Sequence, residues 1–107
     1  MKGRHVDDEK LAARAKALGH PARIRIVRLL AAQSECRGAD VFSELPLAQS
    51  TISEHLRVLK DAGLVSARAE GTSMAYCLDS AALAELTDAL VAIGATAPAT
   101  CVTPGSC

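Results

Sequence analysis

The chain has almost no aromatic residues: its 107 residues include no Trp, one Phe (Phe42) and one Tyr (Tyr76). A core of Leu, Val, Ile and Ala is thin, and small chains of this kind often gain stability by dimerising. The length suits one small domain. No apolar run approaches the roughly 20 residues that a membrane span needs, and the N-terminus lacks the apolar segment of a secretory signal. We therefore expect a cytoplasmic protein with no membrane association.

The chain also lacks net charge, because its 12 Lys and Arg residues balance 12 Asp and Glu residues. The distribution is uneven, however. Residues 1–37 carry nine basic and four acidic residues, a balance of +5, whereas residues 71–107 carry no basic and three acidic residues, a balance of −3. The three arginines at positions 23, 25 and 28 are candidates for contacts with DNA phosphates, and the alternative is an ordinary solvated helix face.

The most informative segment spans residues 49–65, with the sequence QSTISEHLRVLKDAGLV. Its apolar residues repeat at helical spacing on one face, and Gly63 ends the predicted helix in a left-handed conformation. The other face carries short hydrogen-bonding side chains and one cation, the types that contact bases and phosphates in a major groove. The segment therefore predicts a recognition helix. The candidate DNA-contacting residues are Gln49, Ser50, Thr51, Ser53, Glu54 and Arg57.

The remaining segments predict a mainly α fold with a small β-hairpin wing, in the order α-α-α-α-β-β-α. Helices are expected over residues 7–18, from Pro21 to about residue 32, over residues 39–45 and over residues 80–94. Two short extended runs flank the polar turn at residues 70–73, which is typical of a hairpin. We predict a winged helix-turn-helix domain for DNA binding and dimerisation over residues 1–94, and a flexible cysteine-containing tail over residues 95–107.

The apolar residues of the last predicted helix repeat on a single face. They are Leu83, Leu86, Leu90 and Ile93. This face is more apolar than a chain of this size needs internally, so we interpret it as a dimer interface. The alternative is packing against the first helix.

Three segments in this order resemble the ArsR/SmtB family of small bacterial winged-helix repressors that sense metals or metalloids. They are LGHPARIRIVRLL at residues 18–30, the segment at residues 49–65, and EGTSMAYCL at residues 70–78. The resemblance covers residues 10–93. It implies a homodimer that binds a two-fold-symmetric double-stranded operator, is released by an inducer and uses the helix beginning near Gln49 to read DNA.

The chain departs from the family at the usual inducer sites. Residues 39–45 lack the Cys-x-Cys pair of many arsenic and cadmium sensors, and residues 80–94 lack the His of many zinc sensors. A capping Ser of many relatives is replaced by Ala48, so Thr51 and Glu54 are candidates for a capping box one turn later. No His-x-His or Cys-x-x-Cys spacing is present, which argues against a closed zinc site. We expect His20 to have a packing or capping role, and His55 to lie at the core edge or on a phosphate.

Four cysteines are then the candidate inducer ligands: Cys36, Cys77, Cys101 and Cys107. Structural disulfides are not expected in a cytosolic chain, and thiolates suit thiophilic ions. Arsenite or antimonite takes up to three thiolates, whereas methylarsenite takes two. Some arsenic-responsive family members resemble this chain in having Tyr-Cys-Leu in the wing and cysteines near the end. We therefore predict a site for a trivalent arsenical at the last three cysteines, with Cys36 as an alternative ligand.

The predicted chain geometry permits this site. A helix over residues 80–94 is about 22 Å long at ~1.5 Å per residue, and residues 95–101 extend to roughly 23 Å. The tail can therefore fold back to the wing of its own subunit or reach the partner.

Two other functions stay open at this point, and a third is disfavoured. A thiol redox or sulfide-responsive repressor would use the same scaffold, with cysteine pairs forming disulfides or polysulfides. A winged helix used only for protein interaction would not bind DNA. A thiol enzyme is not predicted, since no cysteine has an evident His base with an orienting acid.

Overall fold

The computed structural model describes residues 7–33, 36 and 39–98, and the side chains of residues 39 and 40 are not part of that description. Within these residues the chain forms five helices and one hairpin. They are α1 (Asp8–Ala17), α2 (Pro21–Ala32), α3 (Ala39–Glu44), α4 (Gln49–Asp61), β1 (Val65–Glu70), β2 (Ser73–Leu78) and α5 (Ser80–Thr96). The predicted order of elements is confirmed.

Side chains at the helix starts explain several of these boundaries. Asp7 accepts a hydrogen bond from the Lys10 backbone N–H at 2.8 Å, and Asp79 accepts one from the Ala82 N–H at 3.0 Å. Each bond satisfies a donor that the helix itself leaves unpaired. Helix α4 begins differently, because Ala48 provides no side-chain cap. The capping box expected from Thr51 is wrong, because Thr51 already lies inside the first turn of α4.

The core lies between α2, α3, α4 and the residues that lead from α4 into the hairpin. Its largest fully buried side chains are Ile26, Val41, Ile52, Leu56, Leu59 and Leu64. Burying a side chain of this size contributes about 1.5–3 kcal/mol relative to leaving it in water. Half of this list comes from one face of α4, so α4 is fixed to the domain through that face alone.

The hairpin is a two-stranded antiparallel ribbon, and its register is set by a short turn. Val65 pairs with Leu78 at the base, and Glu70 pairs with Ser73 at the tip. Gly71 occupies the turn with a φ of +64°, a left-handed conformation that glycine adopts without steric cost. The Asp79 N–H donates to the Leu64 carbonyl at 2.8 Å, which closes the base of the ribbon against the end of α4.

Helix α5 packs on the domain through its first half. Ala82 and Leu86 are buried, whereas Leu90, Val91 and Ile93 are exposed. The helix extends to Thr96, two residues past the boundary expected at residue 94. Cys101 and Cys107 of the predicted tail lie outside the described residues. None of the described helices combines the length and apolar character that crossing a bilayer requires.

Candidate nucleic-acid interface and thiol pair

All six candidate DNA-contacting side chains lie on the outside of α4. Gln49, Ser50, Thr51, Ser53, Glu54 and Arg57 are exposed. The apolar residues between them are buried: Ile52, Leu56 and Leu59 are at most 1% exposed. This division follows from the 100° step between successive helical residues, which separates the two sets onto opposite sides. The predicted recognition surface is therefore available to a partner.

Arg57, the cation among the six candidate residues, is held by two carboxylates of its own helix. Its Nε donates to Glu54 Oε1 at 3.1 Å, and its Nη1 donates to Asp61 Oδ2 at 2.9 Å. The hydrogen bond from Arg57 lowers the pKa of Glu54, and the same bond raises the pKa of Arg57. All three side chains are more than half exposed, so the pairs are screened by solvent and can rearrange when a phosphate approaches.

A groove of about 760 Å³ joins the start of α4 to the tip of the hairpin. Its apolar lining comes from α3, the segment before α4 and β2, namely Phe42, Leu47, Met74 and Tyr76. Its polar lining is Ser43, Gln49, Ser53, Thr72 and Ser73. The groove makes the outer side of α4 and the hairpin tip one continuous surface.

A pair of histidines anchors α4 to α2 on the inner side. The ring centroids of His20 and His55 are 4.6 Å apart, and Arg23 Nε donates to His55 Nδ1 at 3.2 Å. His55 is 8% exposed, and its burial, followed by the charges of His20 and Arg23, lowers its pKa. His55 therefore lies at the core edge, one of its two expected positions. His20 caps α2, since its Nδ1 accepts from the Ala22 N–H at 3.1 Å.

The arginines of α2 divide into two groups. Arg23 also donates to the Ala17 carbonyl at 3.3 Å, so its guanidinium is used inside the domain rather than kept for a phosphate. Arg25 and Arg28 are exposed. Of the three arginines predicted to contact phosphates, these two are therefore available for that role.

Cys36 and Cys77 form a disulfide, with Cα atoms 4.8 Å apart and a separation of 41 positions in sequence. The expectation that no cysteine forms a disulfide is wrong for this pair. The sequence did not reveal this contact, because the contact depends on β2 passing beside Cys36, four positions after the end of α2. Nearby, Phe42 of α3 meets Tyr76 of β2 edge-on, at 6.5 Å between ring centroids. Among the described residues, the structure thus places Cys77 next to Cys36, the cysteine expected as an alternative inducer ligand.

The metal site predicted at Cys77, Cys101 and Cys107 involves two residues outside the described part of the chain. Within residues 7–33, 36 and 39–98, no three His, Cys, Asp or Glu side chains are grouped closely enough to hold a metal ion. The three-thiolate site stays a prediction.

A model of the family described as "Bacterial regulatory protein, arsR family" matches residues 20–67, which include α2, α3, α4 and the start of β1. An HTH-type transcriptional regulator of Methanocaldococcus jannaschii is 47% identical over 64 residues, covering 60% of this chain and 72% of that protein. The chain belongs to the ArsR family.

Further similarities agree with this ArsR-family assignment. An HTH-type transcriptional regulator of Mycobacterium tuberculosis is 42% identical over 71 residues, covering 66% of this chain. The aligned part spans 62% of that regulator's length.

Two solved structures share the fold of this ArsR-family chain. One, described as a possible transcriptional regulator for arsenical resistance, has a TM-score of 0.62 and 35% identity, covering 82% of this chain and 85% of that chain. The other is described as the homodimeric winged helix-turn-helix DNA-binding domain of a possible ArsR-family regulator from Mycobacterium bovis. It has a TM-score of 0.64 and 29% identity, covering 89% of this chain and 93% of that chain.

Sequence reasoning missed one partly buried ion pair in this ArsR-family domain. Arg14 of α1 is 8% exposed, and its Nη1 donates to Glu85 Oε1 of α5 at 2.8 Å and to the Ala82 carbonyl at 3.4 Å. Arg14 lies in a helix with many charged residues, and nothing in its spacing separates it from the solvated ones. The pair joins α1 to α5, the helix that carries the exposed apolar face.

Proposed function

We propose that this ArsR-family protein is a DNA-binding transcriptional repressor that acts as a homodimer and is released from its operator by a trivalent arsenical. One observation carries the DNA-binding part of this proposal: α4 buries its apolar face and leaves its hydrogen-bonding face exposed. A surface with this composition suits the donor and acceptor pattern of the major groove.

In the proposed complex, the α4 helices of two subunits enter successive major grooves about 34 Å apart. Gln49, Ser50 and Ser53 contact base edges or phosphates near the start of each helix. Arg25 and Arg28 supply positive charge for the phosphate backbone, so the affinity for DNA falls steeply as salt concentration rises.

The exposed apolar half of α5 supports the homodimer. Leu90, Val91 and Ile93 are 56%, 69% and 64% exposed, an unusual degree for three large apolar side chains within one turn of a helix. A second copy of the chain would remove them from water. A two-fold-symmetric dimer also places the two α4 helices in the symmetric arrangement that a palindromic operator requires.

The inducer is proposed to be arsenite, methylarsenite or antimonite, bound by Cys77, Cys101 and Cys107, with Cys36 as an alternative ligand. Thiolates are the preferred ligands of these soft ions. Binding ties the tail to the wing and biases the dimer toward a spacing of its α4 helices that no longer fits the operator. A coupling free energy of roughly 1–3 kcal/mol, which is typical of allosteric proteins, is enough to release most of the DNA.

A mobility-shift titration tests this proposal. The reduced full chain is mixed with duplexes selected by it from a randomised pool, and arsenite is then added. The parent protein is expected to bind and then release the DNA. Cys77→Ser and Cys101→Ser should bind with the parent's affinity but resist release. Unchanged release in both variants rules out these ligands, and absence of DNA binding at low salt favours a protein-interaction module instead.

The Cys36–Cys77 disulfide supports a second candidate, a thiol redox repressor on the same scaffold. One hydrogen peroxide molecule takes two electrons and two protons from the thiols, giving the disulfide and two water molecules. Free thiols are counted and operator occupancy is measured after peroxide or arsenite treatment. Release by peroxide with loss of two thiols, and retention of DNA with arsenite, would favour the redox function.

A further inference from the structure

Cys36 and Cys77 form a pair that folding has already brought together. Cys77 is fixed in β2 by its pairing with Ser66 of β1, and Cys36 lies three residues beyond Gln33, whose N–H donates to the Leu30 carbonyl at 3.4 Å. Both cysteines are half-buried, and their Cα atoms are 4.8 Å apart. A ligand that binds two thiolate sulfurs therefore meets both cysteines side by side.

We propose that Cys36 and Cys77, once reduced, form a complete two-thiolate site for a trivalent arsenical with one organic substituent, such as methylarsenite. This inference rests on the proposed arsenical response, and it names a ligand pair for the organic inducer that requires no residue of the tail. The site lies within one subunit, between the segment after α2 and the second strand of the wing.

The advantage of this pair over the tail cysteines is entropic. The composition of residues 95–107 predicts a flexible tail, and Cys101 and Cys107 lie 24 and 30 positions beyond Cys77, so using either with Cys77 would close a loop of that length on binding. Cys36 and Cys77, 41 positions apart in sequence, already lie side by side in the folded chain that carries their disulfide. A ligand bound there loses less affinity to loop closure than one bound through the tail, which is the general advantage of a preorganised site.

The chemistry of the ligand matches two sulfurs. Methylarsenite has one As–C bond and two As–OH groups. Each thiol forms one As–S bond while one As–O bond breaks, and the thiol proton leaves with the hydroxide as water. Arsenic stays trivalent, two water molecules are released, and no oxidant or reductant is needed. The disulfide has no thiol to offer, so the oxidised chain and the arsenical-bound chain exclude each other.

The first experiment uses the full chain with Cys101→Ser and Cys107→Ser, reduced with a phosphine, and methylarsenite as the probe. Intact mass should show one methylarsenic group per chain, and both remaining thiols should be protected from N-ethylmaleimide. The same protein oxidised with diamide, which is itself reduced to the hydrazine, should retain no arsenic. The proposal is overturned if the reduced variant retains no arsenic or if Cys36 is alkylated at the same rate with and without the probe.

The second experiment adds Cys36→Ser to that variant, leaving Cys77 as the single thiol. Loss of the second As–S bond should weaken retention of the probe by at least about 100-fold, the usual gain in affinity when a ligand is held at two points instead of one. Equal retention contradicts the proposal. The first experiment needs no substitution in the described domain, so it decides the question even if Cys36→Ser misfolds. Neither measurement uses DNA, so failure here is distinguishable from failure of the proposed repressor function.

Discussion

The imidazole ring of His55, on the inner side of α4, lies 4.6 Å from that of His20, the residue that caps α2. In both rings Nδ1 accepts a hydrogen bond, from the Arg23 Nε–H at His55 and from the Ala22 N–H at His20. A ring nitrogen that accepts must be unprotonated. The contact between Arg23 and α4 therefore depends on neutral His55.

We expect acid to weaken the domain through His55. Burial is the largest cause that lowers its pKa below the ordinary 6.5, so the unfolded chain binds this proton more readily than the folded chain. The free energy of unfolding should hold above pH 6.5 and fall as the pH decreases below 6.5 toward the lower folded-state pKa. Urea unfolding at pH 7.5 and 5.5 measures this loss.

The matched variant for that measurement is His55→Gln, whose amide oxygen can still accept from Arg23 but does not titrate. Its free energy of unfolding should change less between the two pH values than that of the parent. An equal change in both proteins would show that His55 is not the group responsible.

Gly63 and Gly94 should respond in opposite directions to the same substitution. Gly63 has a φ of +84° at the end of α4, so Gly63→Ala should destabilise the domain by about 1–2 kcal/mol even though no atom lies within 4 Å of the added Cβ. Gly94 lies inside α5 with equally open surroundings, and Gly94→Ala should stabilise by about 0.5–1 kcal/mol. The midpoint of urea unfolding measures the stability of each variant. A shift of the same sign in both variants would refute this explanation from backbone conformation.

Removing Glu85 should lower the stability of the domain more than removing its partner Arg14. Glu85→Ala leaves a buried guanidinium without its carboxylate and should cost about 1–3 kcal/mol. Arg14→Met fills a similar volume and leaves only a half-exposed carboxylate, so its cost should be smaller. The control is Asp88→Ala on an exposed position of the same helix, expected within about 0.5 kcal/mol of the parent. A greater loss with Arg14→Met than with Glu85→Ala would contradict this view of the pair.

The exposed half of α5 provides a test of the proposed dimer. Leu90→Glu places a charge in the interface, so the molar mass from light scattering should fall toward that of a monomer while helix content stays the same. Leu90→Met, which keeps an apolar side chain of similar size, should keep the parent's mass. If Leu90→Glu retains that mass as well, α5 is not the dimer contact.

Glu54 should limit the affinity of α4 for DNA. Glu54→Gln removes an acid from the exposed face and releases Arg57 from one of its two partners, so binding to a non-specific duplex at low salt should tighten severalfold. Asp88→Asn on α5 is the control, because it changes the net charge equally outside this surface. Fluorescence anisotropy measures the affinity of both variants for the duplex. An equal gain in affinity would show that the effect comes from net charge alone.

The sequence by itself determined the elements and the exposed face of α4. Pro21, Gly63 and Asp79 act on their immediate neighbours, and helical periodicity fixes which residues share a side, so these features can be derived from a few consecutive residues. The same local rules predicted the hairpin and the exposed polar side chains from Gln49 to Arg57.

Only the tertiary structure decided which distant residues meet. Cys36 contacts Cys77 across 41 residues, Arg23 contacts His55 across 32, and Arg14 contacts Glu85 across 71. Each contact depends on the angle and depth at which one element packs on another, and these are set by the combined packing of the core. The reach of the chain therefore allowed the tail as a partner of Cys77. Packing placed Cys77 beside Cys36, four positions after the end of α2, instead.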